Sequence, residues 1–129
     1  MVKLFEKSDW YKITDPVEAM YKSKDMSVYD RGVGVTVFEG DRTLGCGGVV
    51  LHNDYVGELW LRLSQTTGSV TAMRGIIAGI EILKNSFKDV VLICRVKDGW
   101  RKGERLVQHL GFTKDHMEDN YWVYKCQTL

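Results

Sequence analysis

The chain has 129 residues, of which 44% are hydrophobic and 27% are charged, and its formal net charge is +1. This length and composition predict a single folded domain with its own core. The near-neutral charge excludes a general attraction to nucleic acid or to an anionic membrane. No apolar run reaches the roughly 18 residues that a membrane-spanning helix needs. The N-terminal stretch lacks the apolar segment of a signal peptide, which predicts a cytoplasmic protein.

The first half of the chain predicts a strand, a helix and an antiparallel meander. Residues 2–5 form a candidate strand. Asp15 fits a helix N-cap, Pro16 the first helical position and Glu18 the capping box, which predicts a helix over 15–24. Period-two alternation predicts a strand over 33–38, and Gly40 and Asp41 fit a two-residue hairpin turn. Strands over 43–51 and 57–63 follow, and glycines in the first of them indicate a bulge or a close backbone approach.

The second half predicts a crossover between parallel strands. Apolar residues at helical spacing predict a helix over 69–84, and the continuous apolar run 90–94 is typical of a buried strand. Strand 57–63, this helix and strand 90–94 form a βαβ unit, so the two strands are expected to be parallel neighbours. A second helix over 99–109 ends at Gly111. Residues 112–114 and 121–126 then pair around a polar turn at 115–120. The fold class is a mixed-sheet α+β domain.

The three cysteines, Cys46, Cys94 and Cys126, are widely spaced, and each lies in a strand-like run. No C-x-x-C pair or histidine cluster accompanies them, so the spacing predicts no metal site. A nucleophilic cysteine requires a neighbouring base, and the sequence indicates none. We therefore predict three reduced thiols in or near the core.

The stretch LSQTTGSVTAMRG, from Leu63 to Gly75, joins a strand-like run to a helix-like run, and HLGF follows at His109 to Phe112. Together with the element order, these stretches resemble the GNAT superfamily of acyl-CoA-dependent N-acetyltransferases over nearly the whole chain. In that family the loop after the fourth strand reads Q/R-x-x-G-x-G/A and holds the coenzyme A pyrophosphate. Unpaired N–H groups and the helix dipole create such an anion site. The resemblance also implies that the fourth and fifth strands splay apart and that the pantetheine arm pairs with the exposed strand edge.

The resemblance implies acetyl-CoA as cofactor and a binding site along the strand and loop. Gln65 and Gly68 match the motif, whereas Val70 stands where glycine or alanine is expected. A β-branched side chain there could obstruct the approach of phosphate to the backbone. The alternative is that Thr67 or Ser69 simply caps a core-packing helix. The implied cofactor-binding residues are Leu61, Leu63, Gln65, Thr66, Thr67, Gly68, Ser69 and Val70.

The last helix departs from the family pattern N-x-x-A-x-x-x-Y-x-x-x-G-F, in which the tyrosine protonates the departing thiolate. Counting back from Gly111 places Val107 at the tyrosine position. Valine cannot donate a proton, so the acid must come from elsewhere, from water, or not be needed. Tyr121 and Tyr124 are candidates to replace it, and aromatic packing is the alternative for both.

Glu58 is the candidate general base, because the resemblance places such a base near the start of the fourth strand. A carboxylate that enters an apolar run can have a raised pKa, which suits proton abstraction from an ammonium substrate. The alternative is a solvent-exposed glutamate paired with Arg42 or Arg62.

Two further sets of residues are weaker candidates. Three histidines in or beside turns are candidates for catalysis, and four basic residues near the start of the last helix are candidates to contact the ribose phosphate or an acidic partner. For both sets the alternative is that the side chains are simply solvated. The histidines are His52, His109 and His116, and the basic residues are Lys97, Arg101, Lys102 and Arg105.

The leading functional interpretation is acyl-CoA-dependent N-acetyl transfer, by direct attack of an amine on the thioester. The expected partners are acyl-CoA and an amine-bearing acceptor, which is either a small molecule or a protein. Neither nucleic acid nor a membrane is expected as a partner. A homodimer is a further expectation. The alternative is a non-catalytic GNAT-like phage protein in the host cytoplasm, serving as a virion component or host-protein binder. A third interpretation is an acyl-CoA-binding regulator without transfer.

Overall fold

The structure is a computed structural model, and it describes residues 1–17, 33–65 and 70–127. Most of its secondary-structure elements are strands, and the two longer helices lie in the second half of the chain. In chain order the elements are β1 (Val2–Leu4), α1 (Lys7–Lys12), β2 (Pro16–Val17), β3 (Val33–Glu39), β4 (Arg42–Leu51), β5 (Val56–Ser64), α2 (Val70–Ser86), β6 (Val91–Lys97), α3 (Arg101–His109), β7 (Thr113–Glu118) and β8 (Tyr121–Gln127). None of the helices in these three ranges has the length and apolar character needed to cross a membrane.

The strands form one mixed sheet in the order β1-β3-β4-β5-β6-β8-β7, and β2 pairs separately with β5. β3, β4 and β5 form the predicted antiparallel meander. β5 and β6 are parallel, and α2 connects them. The predicted mixed sheet and its βαβ crossover are therefore confirmed.

The two faces of the sheet are covered by different elements. On one face Leu59, Leu61 and Leu63 of β5 belong to the main core, together with Ile76 and Ile80 of α2. The opposite face carries a smaller cluster of Trp10, Ile13, Cys46 and Trp60. Alternate side chains of a strand point to opposite faces, which explains why neighbouring residues of β5 enter different clusters.

The cysteines are free, as predicted. Cys46 and Cys94 are buried, and Cys126 is half-buried. Burial raises the pKa of the Cys46 thiol to about 12, because a thiolate is poorly solvated in the core. Burial likewise raises the pKa of Cys94. Both thiols therefore stay protonated, and unreactive, at neutral pH.

The predicted helix over 15–24 is wrong at its start, because Pro16 and Val17 form β2 and residues 18–24 lie outside the described residues. The Asp15 carboxylate accepts a hydrogen bond from the Ser64 hydroxyl, whose oxygen lies 2.8 Å from Oδ1 and 3.0 Å from Oδ2. Proline is tolerated at the first residue of a strand, so the same residue types satisfy either structure. The sequence analysis missed the short α1, which precedes β2.

Close backbone approach explains the glycines of β4. A Cβ on Gly47 would lie 2.5 Å from Leu61 Cδ2 and 2.8 Å from the Trp60 carbonyl oxygen. A Cβ on Gly45 would lie 2.7 Å from Leu63 Cδ2. The side chains of β5 therefore occupy the space that side chains at these positions would need. Close approach therefore holds for Gly45 and Gly47, and the register with β3 also shifts beside Gly45, where Val37 pairs with Gly45 and Phe38 with Thr43, as a bulge would give.

The C-terminal hairpin differs from its predicted form. The polar residues expected as a turn mostly belong to β7, which reaches Glu118 and is exposed throughout. Only Asp119 and Asn120 form the turn, with positive φ angles of 51° and 67°. Two residues with positive φ match the twist of a tight hairpin. Charged residues suit an edge strand, since they discourage pairing with another chain.

Candidate active site

β5 and β6 diverge in the middle of the sheet. Their parallel pairing begins at Val56 and Val91 and ends at Leu59 and Cys94. β5 then continues to Ser64 alongside β4, and β6 continues to Lys97 alongside β8. Each strand follows its outer neighbour, so a wedge-shaped gap opens between them. The predicted splay is confirmed.

The backbone of Leu61 faces this gap. The Tyr55 carbonyl accepts a hydrogen bond from Val91 N–H at 2.7 Å, and Gln65 N–H donates to the Asp15 carbonyl at 3.0 Å. Every second residue of a strand directs its N–H and C=O to the same edge. The odd-numbered residues of β5 therefore point away from β4. Within the described residues, Leu61 lies between the last pair with β6 and the first pair with β2, and neither strand pairs with it.

Leu63 and Gln65 follow on the same edge, but β2 occupies it there. Val17 pairs with Leu63, and the Gln65 side-chain amide donates to the Pro16 carbonyl at 3.5 Å. α2 begins at Val70. The intervening loop residues Thr66, Thr67, Gly68 and Ser69 lie outside the described residues, so their binding role stays a prediction.

Glu58 stands beside the closed end of the gap, one residue before Leu59. It shares the face of Trp60, opposite α2. Its side chain is 18% exposed and contacts a histidine and an arginine. Glu58 Oε1 lies 2.9 Å from His52 Nε2, and Oε2 lies 3.2 Å from Arg95 Nε. Arg95 also approaches Glu118, at 3.5 Å.

These partners of Glu58 differ from those considered in the sequence analysis. Arg62 instead donates from Nε and Nη2 to the backbone oxygens of Trp10 and Ile13, both at 3.0 Å. His52, for which solvation was the alternative to a catalytic role, is half exposed and contacts Glu58. The signal that could have found it is the hairpin register, which pairs Val50 with Glu58 and leaves His52 just beyond.

Of the two tyrosines considered for thiolate protonation, Tyr124 lies in the main core, as does Val107, whereas Tyr121 is half-buried at the start of β8. Val107, at the family's tyrosine position, is fully buried. Tyr124 is also buried, and its hydroxyl donates to Glu104 Oε1 at 2.8 Å. The pKa of Tyr124 is raised, mainly because the side chain is buried and secondly because of this hydrogen bond. The Tyr124 hydrogen bond and the neighbouring Lys114 lower the pKa of Glu104. The proton therefore stays on the tyrosine and the charge on the glutamate.

The remaining candidates lie at the surface. His116 belongs to β7, and its ring nitrogens approach Asp115 at 2.5 Å and Glu118 at 2.7 Å. These two carboxylates raise the pKa of His116. No group of three or more His, Cys, Asp or Glu side chains forms a metal site within the described ranges. The residues of the basic cluster are all exposed, as is His109: Lys97, Arg101, Lys102 and Arg105.

Comparisons with known proteins identify the architecture. No family model matches the sequence, and no curated protein matches it. Solved structures do match over nearly the whole chain. The ribosomal-protein-S18-alanine N-acetyltransferase from Escherichia coli has a TM-score of 0.73 at 11% identity, covering 99% of this chain and 93% of that one. A Bacillus subtilis acetyltransferase in complex with CoA has a TM-score of 0.70 at 15% identity, covering 99% and 97%.

A third match is yncA from Salmonella typhimurium, whose structure contains its cofactor acetyl-CoA. It has a TM-score of 0.69 at 12% identity, covering 100% of this chain and 94% of that one. The chain has the GNAT fold. β5 and β6 are its splayed parallel pair, and α2 is the helix that follows the predicted pyrophosphate loop. The GNAT fold thus places Leu61, Leu63 and Gln65 on one edge and Glu58 beside the closed end of the gap.

Proposed function

We propose that this GNAT-fold protein is an N-acetyltransferase that passes an acetyl group from acetyl-CoA to an amine. The observation that carries the proposal is the gap between β5 and β6. Among the described residues, neither β2 nor β6 pairs with Leu61, whose backbone meets this gap, and a carboxylate with a solvent-exposed histidine partner stands beside the closed end. The edge suits a ligand with amide groups, and the carboxylate suits an acceptor that must lose a proton.

The residues along the gap fit the coenzyme in part. Leu61 offers an N–H and a C=O to an amide-bearing arm. Leu63 and Gln65 would extend that contact, although β2 engages both of them. The loop Thr66, Thr67, Gly68, Ser69 and Val70 would hold the pyrophosphate at the start of α2. Acetyl-CoA, when bound, supplies the acetyl thioester and a thiol leaving group.

Glu58 would accept the proton from the amine. Its charge is stabilised by Arg95, and His52 can pass the proton to water, because the His52 side chain is 48% exposed. Because Val107 has no proton to give and Tyr124 donates to Glu104, neither residue supplies an acid for the thiolate. Water then protonates the thiolate, or the thiolate leaves as the anion. The acceptor is an amine, whether on a small molecule or on a protein.

Calorimetric titration with acetyl-CoA tests the predicted loop, using Gly68→Asp against the wild type. Aspartate places a negative charge and a side chain where the pyrophosphate approaches the backbone, so affinity should fall at least about tenfold, or 1.4 kcal/mol. Thr113→Asp, which adds the same charge on the exposed outer strand β7, is the control and should bind like the wild type. Equal affinities in the wild type and the Gly68→Asp variant would remove the loop from the binding site.

The second candidate function is a non-catalytic GNAT-like phage protein, either a virion component or a host-protein binder. Two observations favour it: β2 occupies the edge at Leu63, and Val107 is buried where the family has its acid tyrosine. This candidate predicts no heat of binding with millimolar acetyl-CoA. Binding of acetyl-CoA by the wild type would therefore exclude this candidate.

A further inference from the structure

β2 lies in the gap between β5 and β6. Its two residues pair antiparallel with the end of β5, Pro16 with Ser64 and Val17 with Leu63. Because Gln65 N–H donates to the Asp15 carbonyl, the next hydrogen-bonded position along the strand joins Val17 to Leu63. Leu63 thus directs its N–H and C=O to β2, on the edge that faces away from β4. β2 has taken a position that an extended ligand on this edge would need.

The edge left open is short. β6 pairs with β5 as far as Leu59, and β2 begins at Leu63. Among the described residues, Leu61 alone lies between them on this edge. The arm of coenzyme A carries two amides, and successive outward-facing positions of a strand are about 7 Å apart. An arm that extends along β5 toward the predicted loop therefore reaches Leu63 and meets β2.

Asp15 adds an electrostatic obstacle at the same place. Its two carboxylate oxygens share the hydrogen bond that the Ser64 hydroxyl donates, directly before the predicted pyrophosphate loop. A carboxylate beside a phosphate site repels the ligand. Release of β2 would remove the strand and the charge together.

The segment before β2 has buried contacts of its own, separate from those of β2. Ile13 is 2% exposed, and its carbonyl accepts a hydrogen bond from Arg62 at 3.0 Å. Trp10 is likewise buried, and the Arg62 guanidinium lies 4.4 Å from its ring centre. Thr14, in contrast, is exposed. Release of β2 from Leu63 would therefore leave these buried contacts of Trp10 and Ile13 in place.

We propose that β2 is an internal competitor for the coenzyme groove: its pairing with Leu63 and the binding of acetyl-CoA exclude one another. The proposal rests on the proposed function. If β2 competes with the coenzyme, the affinity for acetyl-CoA depends on the free energy needed to release β2. A site that is open in only a fraction of the molecules binds more weakly in proportion to that fraction. Weakening β2 should therefore tighten binding.

The test is calorimetric titration of Val17→Pro with acetyl-CoA. Proline removes the N–H that Val17 donates to Leu63, whereas the control Val17→Ala keeps it. Val17→Pro should bind at least about tenfold more tightly than the wild type and Val17→Ala. Asp15→Asn, which removes only the charge, should give a smaller gain. Equal or weaker binding by Val17→Pro overturns the competition and leaves the proposed function intact; no binding by any variant overturns both.

Hydrogen exchange of the wild-type protein is a second test that does not depend on the variant folding. Saturation with acetyl-CoA should speed exchange of the Val17 amide, which loses its partner, and slow exchange of the Leu61 amide, which gains one. Slower exchange at both amides would contradict the proposal, because β2 and the coenzyme would then be held together.

Discussion

Glu58→Gln is expected to lower the rate of acetyl transfer by about 10²–10⁴-fold, the range typical for loss of a positioned general base. Glutamine keeps the size of the side chain and can still meet His52 and Arg95, but it cannot accept the proton of an ammonium substrate. The loss should be largest at low pH, where the acceptor is mostly protonated, and should shrink as free amine accumulates. The measurement is kcat as a function of pH for both proteins.

Glu118→Gln is the matched control for this substitution. Glu118 also approaches Arg95, at 3.5 Å, but it lies on the exposed strand β7. Its substitution removes one carboxylate partner of Arg95 and leaves Glu58 in place, so activity should stay near that of the wild type. Coenzyme affinity should be unchanged in both variants. Full activity of Glu58→Gln would remove Glu58 from the mechanism.

Asp9→Ala is expected to lower the free energy of unfolding by about 2–4 kcal/mol, because Asp9 makes charge-assisted hydrogen bonds in a buried position. The Asp9 carboxylate is fully buried. It accepts hydrogen bonds from the Thr36 hydroxyl at 2.8 Å and from Glu6 N–H at 2.9 Å. Lys3 and Lys12 each lie 3.3 Å away. The substitution leaves the buried Thr36 hydroxyl without this acceptor. Urea unfolding measures the change.

The stabilising effect of Asp9 should depend on pH. Burial by itself raises the pKa of this carboxyl, but hydrogen bonds from Glu6, Thr36 and the two lysines outweigh burial and lower it. A lowered pKa in the folded state means that the contribution is fully present above about pH 4, where the unfolded carboxyl is ionised, and is lost as the pH falls through the folded-state value. The difference between the wild type and Asp9→Ala should therefore shrink in acid.

Asp54→Ala provides the comparison for Asp9→Ala. Asp54 is exposed in the turn before β5, so its removal should change stability by no more than about 0.5 kcal/mol. A Thr36→Val substitution made alone and with Asp9→Ala measures the coupling between the two side chains. Simple additivity of the two substitutions would show that the hydrogen bond between them contributes little.

The strength of the local patterns explains how much of the fold could be predicted. The helical spacing before Ser86 and the apolar run before Cys94 each extend over many residues, so they predicted α2, β6 and their parallel crossover. The alternating valines of β3 and the glycine-first turn at Gly40 predicted the hairpin in the same way. These signals are local, and many residues repeat each of them.

The short N-terminal elements lack such repetition. Asp15 and Pro16 have the residue types of a helix start, and nothing nearby in the sequence opposes that interpretation. Ser64 and Leu63, which hold β2 in place, lie far away along the chain. The choice between helix and strand was therefore made by a tertiary contact. The polar residues of β7 were misassigned for a related reason, since an edge strand needs no buried face.

For the candidate site, the sequence by itself determined that Glu58 lies near the start of β5 and that Leu61, Leu63 and Gln65 follow at alternate positions, while their binding roles stay predictions from the resemblance. The tertiary structure decided that Glu58 meets His52 and Arg95, that the gap opens after Leu59, and that β2 occupies the edge at Leu63. The physical reason is that a strand's periodicity fixes the directions of its own groups, whereas the identity of each partner depends on strand register and on segments distant in sequence.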